Sequence, residues 1–285
     1  MNCSVRLLVT GPARKGMIAA VTSFVEEHDG YILEVDEHLN PPASGRWFMR
    51  IEIESEGFDV SREEFSRAFA PLAQRHGMDW RIAYTEQRKR MAIMVSKYEH
   101  CLLELLWRWD AGELDAEIPL VISNHPDLAP RVESHGIPFY HLPVTKGTKA
   151  DQEGEALKLL AEHNVDLVVL ARYMQILTPE FIDAYPNKII NIHHSFLPAF
   201  AGANPYERAY ERGVKLIGAT AHYVTEDLDA GPIINQDVAY VSHDYTVEDL
   251  KRIGGEIERR VFSQAVRWHV EDRVMVDDAR TVVFT

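Results

Sequence analysis

Residues 188–198 read Lys188-Ile189-Ile190-Asn191-Ile192-His193-His194-Ser195-Phe196-Leu197-Pro198. The isoleucines of this run are apolar and β-branched, which predicts a buried strand of a parallel sheet. Side chains alternate faces along a strand, so Asn191 and His193 point one way and Ile192 the other. The strand runs out into a polar, proline-containing stretch, and in open α/β sheets ligands bind beyond the carboxyl ends of strands. A second segment, Leu228-Asp229-Ala230-Gly231-Pro232, follows. The two segments together supply an amide, an imidazole and a carboxylate, enough to polarise a carbonyl and move a proton.

The same rhythm extends outward. Short apolar runs at 91–95, 118–122, 165–170 and 188–192 read as strands, with helical spacing around 100–109 and 151–163 between them. A further strand spans 216–224, and Thr246 with Asp249 can start a long helix toward Val270. This alternation predicts a doubly wound α/β domain over residues 91–285.

Residues 1–86 follow a different order. Strands are expected at 5–9, 31–39, 47–53 and 78–84, with helices at 16–28 and 62–75 and a turn at 40–45. Trp47, Met49, Ile51 and Ile53 alternate with Phe48, Arg50 and Glu52, the signature of a half-buried antiparallel strand. The resulting βαββαβ order is a small ferredoxin-like α+β unit. Between the two patterns lies the charged run Glu86-Gln87-Arg88-Lys89-Arg90, which has nothing to bury. A linker at 87–90 is the expectation, with one exposed helical turn as the alternative.

Bulk properties narrow the function. The 285 residues carry 44 acidic against 30 basic groups, for a net charge of −14, which argues against nucleic acid as the main partner. Cys3 and Cys101 are too few and too far apart for a disulfide framework, so a reducing cytoplasm is expected. No signal-peptide pattern is seen, and no apolar run approaches the ~20 residues needed to span a membrane.

Each candidate residue has a functional and a structural reading. Asn191 is an oxyanion-stabilising donor or a polar cap for loose backbone groups. His193 has the intrinsic pKa for acid–base work, although with 13 histidines in the chain any single one can be structural. Asp229 sits in an acidic turn that can equally be a solvated loop. The strand before it is expected to end at the same edge as 188–192, which would let its loop reach the site. Thr220 and His222 share one face of that strand and are supporting candidates, as is His194. Two other chemistries find no support in the motifs. Ser195 lacks a G-x-S-x-G elbow, against a serine hydrolase. A zinc site of His193, His222 and Asp229 lacks an HExxH-type helix, so no metal is expected.

Residues 191–198, Gly218-Ala219-Thr220-Ala221-His222 and Asp229-Ala230-Gly231-Pro232 resemble the signature of the formyltransferase-fold folate enzymes. That family includes glycinamide ribonucleotide and methionyl-tRNA formyltransferases. Within it, the doubled histidine, Ser96-Lys97, His100-Cys101-Leu102 and Gly202-Ala203-Asn204-Pro205-Tyr206 are most similar to the formyltetrahydrofolate deformylases. The resemblance covers essentially the whole chain. It implies a Rossmann-like parallel sheet with helices on both faces, preceded by an ACT domain. It also implies hydrolysis of 10-formyltetrahydrofolate to formate and tetrahydrofolate, feeding formate to purine synthesis, with no metal or redox cofactor. Formyl transfer to an amine such as glycinamide ribonucleotide is the alternative.

By the same resemblance, Asn191, His193 and Asp229 are the catalytic residues. The segment from Leu170 to Leu177, with Tyr173, Met174, Gln175 and Leu177, would hold the pterin together with His222 and Thr225. Related transferases often carry Arg where this chain has Gln175. A glycine-rich turn that holds the acceptor phosphate in transferases is replaced here by Ser96–His100, which favours water as acceptor. ACT domains pair between subunits and bind amino acids, so a homo-oligomer is expected. Lys15, Gly16 and Met17 mark the corresponding effector loop, with glycine or methionine as candidate effectors.

Overall fold

The computed structural model describes residues 3–40, 45–145, 147–198 and 205–285. The chain divides into two units. Met1–Arg88 forms the first with Asp272–Met275 and Val282–Thr285, while Lys89–Glu271 and Val276–Thr281 form the second.

In the first unit, β1 (Ser4–Pro12), α1 (Met17–Glu27), β2 (Ile32–Leu39), β3 (Arg46–Glu54), α2 (Arg62–His76) and β4 (Asp79–Tyr84) follow the expected βαββαβ order. The antiparallel sheet runs β2-β3-β1-β4. Val21, Phe24 and Val25 of α1 and Phe65 and Phe69 of α2 pack onto Leu7, Val9, Met49, Ile51 and Ile53. β3 departs from half-burial, because Phe48 and Arg50 on its other face are also fully buried. Arg50 is neutralised by ion pairs with Glu34, Asp36 and Glu52, so the charge is paired where it is desolvated. The turn expected at 40–45 lies largely outside the described residues.

The second unit contains β5 (Lys89–Val95), α3 (His100–Asp110), β6 (Ala116–Glu117), β7 (Val121–Ser123), α4 (Ala129–Glu133) and β8 (Phe139–His141). It continues through α5 (Lys149–Glu162), β9 (Leu167–Ala171), α6 (Pro179–Ala184), β10 (Ile189–His193), α7 (Pro205–Arg212), β11 (Leu216–Tyr223), β12 (Ile233–Tyr240) and α8 (Val247–Val270). A hairpin of β13 (Val274–Asp277) and β14 (Arg280–Val283) follows. The main sheet runs β12-β11-β10-β9-β5-β7-β8, with β6 pairing on β5. Its β10-β9-β5-β7-β8 portion is parallel. One face buries Ala92, Met94, Ile122, Val168 and Leu170 against Leu160 of α5 and Phe181 of α6. α8 packs on β10, β11 and β12 and against α3. Thr246 and Asp249 form the reciprocal capping box expected at its start.

Three features differ from the sequence reading. Lys89 and Arg90, placed in a linker at 87–90, open β5 instead. Lys89 Nζ donates to the Val270 carbonyl at 2.8 Å, and the Arg90 guanidinium to that of His163 at 2.7 Å, so both charges serve the strand edge. Of the chain end, Asp272–Met275 and Val282–Thr285 belong to the first unit and only Val276–Thr281 stays with the second. The buried Asp272 pairs with Arg6 and Arg81, and Arg273 with Glu34, contacts between residues too distant in sequence for any local pattern to reveal. Finally, β11 is antiparallel to its neighbour β10, and β12 is antiparallel to β11. β12 was not foreseen, because an edge strand carrying Asn235, Gln236 and Asp237 lacks a long apolar run.

Candidate active site

β10 presents Asn191 and His193 on one face, as its period-2 alternation requires, and β11 sets His222 opposite Asn191 and Thr220 opposite His193. β11 runs antiparallel to β10, so the chain leaves it toward the start of β10 and not at the expected edge. Asp229 reaches the site because the following loop turns back sharply. The Tyr223 N–H donates to the Pro232 carbonyl, and Gly231 lies so close to the Tyr223 carbonyl that a Cβ there would sit 1.9 Å from its oxygen. Asp229 itself adopts the left-handed conformation at φ 56°, uncommon for a side-chain-bearing residue.

The result is a connected set. His193 Nδ1 lies 3.3 Å from Asp229 Oδ1, and His222 Nε2 lies 3.8 Å from the same oxygen. His222 Nδ1–H donates to the Tyr223 carbonyl at 2.8 Å, which leaves Nε2 to accept from Asn191 Nδ2 at 3.2 Å. That fixes the amide with its nitrogen toward His222. His193 is buried, and its Nε2 has no hydrogen-bond partner among the described residues. With Nδ1 tied to Asp229, Nε2 is the atom that His193 offers to a reacting group.

The electrostatics reinforce this pairing. The hydrogen bond from His193 holds the Asp229 carboxyl below the usual carboxylate range, against the opposing effect of burial. Burial lowers the pKa of His222. His194 is pushed down to about 4 by burial and then by the Arg172 charge, so it stands neutral beside His193. Thr220 acts on the loop: its hydroxyl donates to the Ser195 carbonyl at 2.9 Å and accepts from Leu197 N–H and Gln236 Nε2.

Asn191, His193, His194, His222 and Asp229 line a cleft of about 750 Å³. Tyr173, Met174, Gln175, Leu177 and Thr225 also line it, so the structure brings together all the residues singled out for folate and catalysis. Tyr173 is buried, its hydroxyl accepts from Gln152, and burial pushes its pKa up to about 12, so it stays a neutral phenol. Lys15, Gly16 and Met17 lie elsewhere, in the first unit. Met17 is packed in that core, while Lys15 is exposed and Gly16 precedes α1 at φ 87°. Of the motif at 202–206, residues 202–204 lie outside the described residues.

One cluster went unrecognised in the sequence. Glu258 on α8 is 2% exposed and accepts from Tyr206 Oη at 2.7 Å and His100 Nε2 at 2.8 Å. Burial alone would raise its pKa, but His100, Arg172 and Tyr206 hold it down. Its signal was an acid on the apolar stripe of α8, beside Ile257 and Val261. His100, Cys101 and Glu258 place ligand atoms within 4.8 Å of one another. Their donor set suits a cation poorly: the carboxylate is already shared by His100, Tyr206 and the Arg172 charge, and burial holds the Cys101 thiol protonated.

Known proteins resemble the chain throughout. Residues 89–266 match the formyl transferase family. A formyltetrahydrofolate deformylase of Bacillus subtilis is 52% identical over 279 residues, 98% of this chain and 93% of that protein. The crystal structure of a formyltetrahydrofolate deformylase from Pseudomonas syringae superposes with a TM-score of 0.97 at 48% identity, covering 100% of this chain and 95% of the other. A glycinamide ribonucleotide transformylase from Symbiobacterium toebii matches only 70% of this chain and 95% of its own, with a TM-score of 0.67 and 32% identity. The full-length match, rather than the shared transferase core alone, places the chain in the formyltetrahydrofolate deformylase family, a hydrolase branch of the formyl transferases.

Proposed function

We propose that the enzyme hydrolyses 10-formyltetrahydrofolate, with Asn191, His193 and Asp229 as catalytic residues. The observation that carries this is the His193–Asp229 pair beside Asn191 in one cleft, in a chain of this family. Water attacks the formyl carbon, forming a C–O bond and a tetrahedral oxyanion. Asn191 Nδ2 and the protonated His193 donate to that oxyanion, since donors aimed at developing charge give the largest electrostatic gain. The Asp229 carboxylate orients and charges the imidazole and helps to take a proton from water. Cleavage of the C–N10 bond returns one proton to the amine nitrogen, and the formic acid ionises, leaving formate and tetrahydrofolate. None of these steps calls for a metal or redox cofactor.

Formyl transfer to an amine is less well supported. At the first strand–helix turn, Ser96 N–H donates to the Arg172 carbonyl, and Ser96 Oγ donates to Asn124 and accepts from Met174 N–H. These groups are therefore engaged inside the protein rather than cradling a phosphate. Incubation with 10-formyltetrahydrofolate alone should release formate and tetrahydrofolate in equal amounts, unaffected by a chelator. Release only after an amine is added would transfer the assignment to a formyltransferase.

The βαββαβ unit supports an ACT-type role in oligomer formation, with glycine or methionine as effector near Lys15 and Gly16. The free cytoplasmic folate pool, not nucleic acid or membrane, is the matching setting, and formate release would supply purine synthesis. No helix among the described residues is long and apolar enough to cross a membrane. Thermal shift of the whole chain with amino acids tests the effector; absence of any shift would leave the unit a structural module.

A further inference from the structure

We infer that Arg172 is the seat of the carboxylate product: its guanidinium, held by Glu258 and Tyr98 at the end of β9, binds formate as it leaves His193. The inference rests on the formyl-hydrolysis reading above.

Several observations converge on this side chain. β9 and β10 are parallel with Leu170 beside Asn191, Arg172 follows directly on the last residue of β9, and its charge is felt by His194, the neighbour of His193. Arg172 takes the left-handed backbone at φ 61°, a conformation costly for a residue with a long side chain, and its carbonyl accepts from Ser96 N–H. It lines the same cleft as Asn191, His193 and Asp229, yet is only 7% exposed. Its Nε and Nη1 are buried and make no hydrogen bond among the described residues. The Nε approach to Glu258 Oε2 at 3.5 Å is close enough to balance charge but lacks hydrogen-bond geometry. The Tyr98 ring lies 5.0 Å from the guanidinium carbon and fixes the plane.

Buried donors without partners are costly, so a guanidinium kept in this state awaits an acceptor. Glu258 does not compete for that role. One of its oxygens serves Tyr206 and the other His100, so it anchors the cation without saturating it. A planar guanidinium recognises a planar carboxylate, and the reaction creates one beside it. The substrate's formyl group is neutral, so the site favours product over substrate and draws the anion away from the imidazole.

The test is anion binding by the full chain, read by thermal shift and by inhibition of turnover, with formate and with nitrate as a planar isostere. Wild type should bind both anions. Arg172→Gly, which suits the left-handed backbone, should weaken both by roughly tenfold or more, and Arg172→Lys should recover only part. Folded variants that bind formate as wild type does would overturn the inference, as would a wild type that binds neither anion. If the defect of Arg172→Gly vanished with a formylated pteroate lacking glutamate, the arginine would hold the folate tail, and the inference would also fall. Because anion binding needs no turnover, its outcome is separate from the formate-release assay that tests the reaction itself.

Discussion

His193 Nδ1 and Asp229 Oδ1 lie 3.3 Å apart although α7 and β11 separate them in the chain, and the carboxylate is the partner carried on the left-handed backbone. The backbone at φ 56° delivers the charge to the imidazole, so backbone and charge need separate tests. Asn accepts the left-handed region and keeps the shape while removing the charge. Asp229→Asn should therefore leave the circular dichroism spectrum unchanged and cut turnover by ~10²-fold or more. Asp229→Ala adds a backbone cost of about 1–2 kcal/mol and is the less clean experiment. Near-normal turnover in folded Asp229→Asn would remove the carboxylate from the mechanism.

Stability should fall on mild acidification because of His194. Its pKa is about 4 in the folded state against 6.5 for the free side chain. Below pH 6.5 the unfolded chain takes up the proton and the folded chain does not. The unfolded state then binds more protons, so stability drops as pH falls, by at most about 1.4 kcal/mol per pH unit for this group, until pH reaches about 4. His222, also lowered by burial, acts in the same direction. Urea unfolding across this range should give a shallower slope for His194→Gln than for wild type. Parallel slopes would show that His194 is not held neutral.

Much of this site could be read from the chain alone, for a definite physical reason. Asn191 and His193 lie two residues apart on one strand, and period-2 alternation places them on one face without tertiary information. Asp229 was found, but the direction of the strand before it was not, because parallel and antiparallel neighbours have similar apolar runs. Arg172 and Glu258 stayed hidden. Their meaning lies in a contact between the residue after β9 and the middle of α8, so even an acid on the apolar stripe of α8 does not name its partner. The same holds for Asp272 and Arg273, whose partners Arg6, Arg81 and Glu34 are near the other end of the chain.

Thr220 should prove a positioning residue rather than a strand filler. Its hydroxyl is fully buried and serves the Ser195 carbonyl, the Leu197 N–H and the side-chain amide of Gln236. Thr220→Val keeps the volume but strands those groups, at about 1–3 kcal/mol of stability. Because the loop carries on directly from His193, kcat should fall with it, while Thr220→Ser should restore both. Chemical denaturation and steady-state kinetics on the two variants decide the matter; a Val variant as stable as wild type would show that the loop is held by other contacts.

Adjacent glycines on α8 should respond to alanine with opposite signs. Alanine is favoured over glycine within a helix by about 1 kcal/mol, so propensity alone predicts stabilisation at both Gly254 and Gly255. At Gly255 a Cβ would meet only His100 Cδ2 at 3.9 Å, an ordinary contact, so Gly255→Ala should raise Tm. At Gly254 a Cβ would lie 2.0 Å from Tyr206 Oη and 2.4 Å from Cζ, so the tyrosine must move. Overpacking of this kind costs about 1–3 kcal/mol. Displacing Tyr206 also removes a hydrogen bond to the buried Glu258 carboxylate, worth a further ~1.5–3 kcal/mol where a charged group is involved. These penalties exceed the propensity gain, so Gly254→Ala should lower Tm. Equal and positive shifts for the two variants would mean that Tyr206 can leave α8 without loss, and that Glu258 is held by His100 and Arg172 alone.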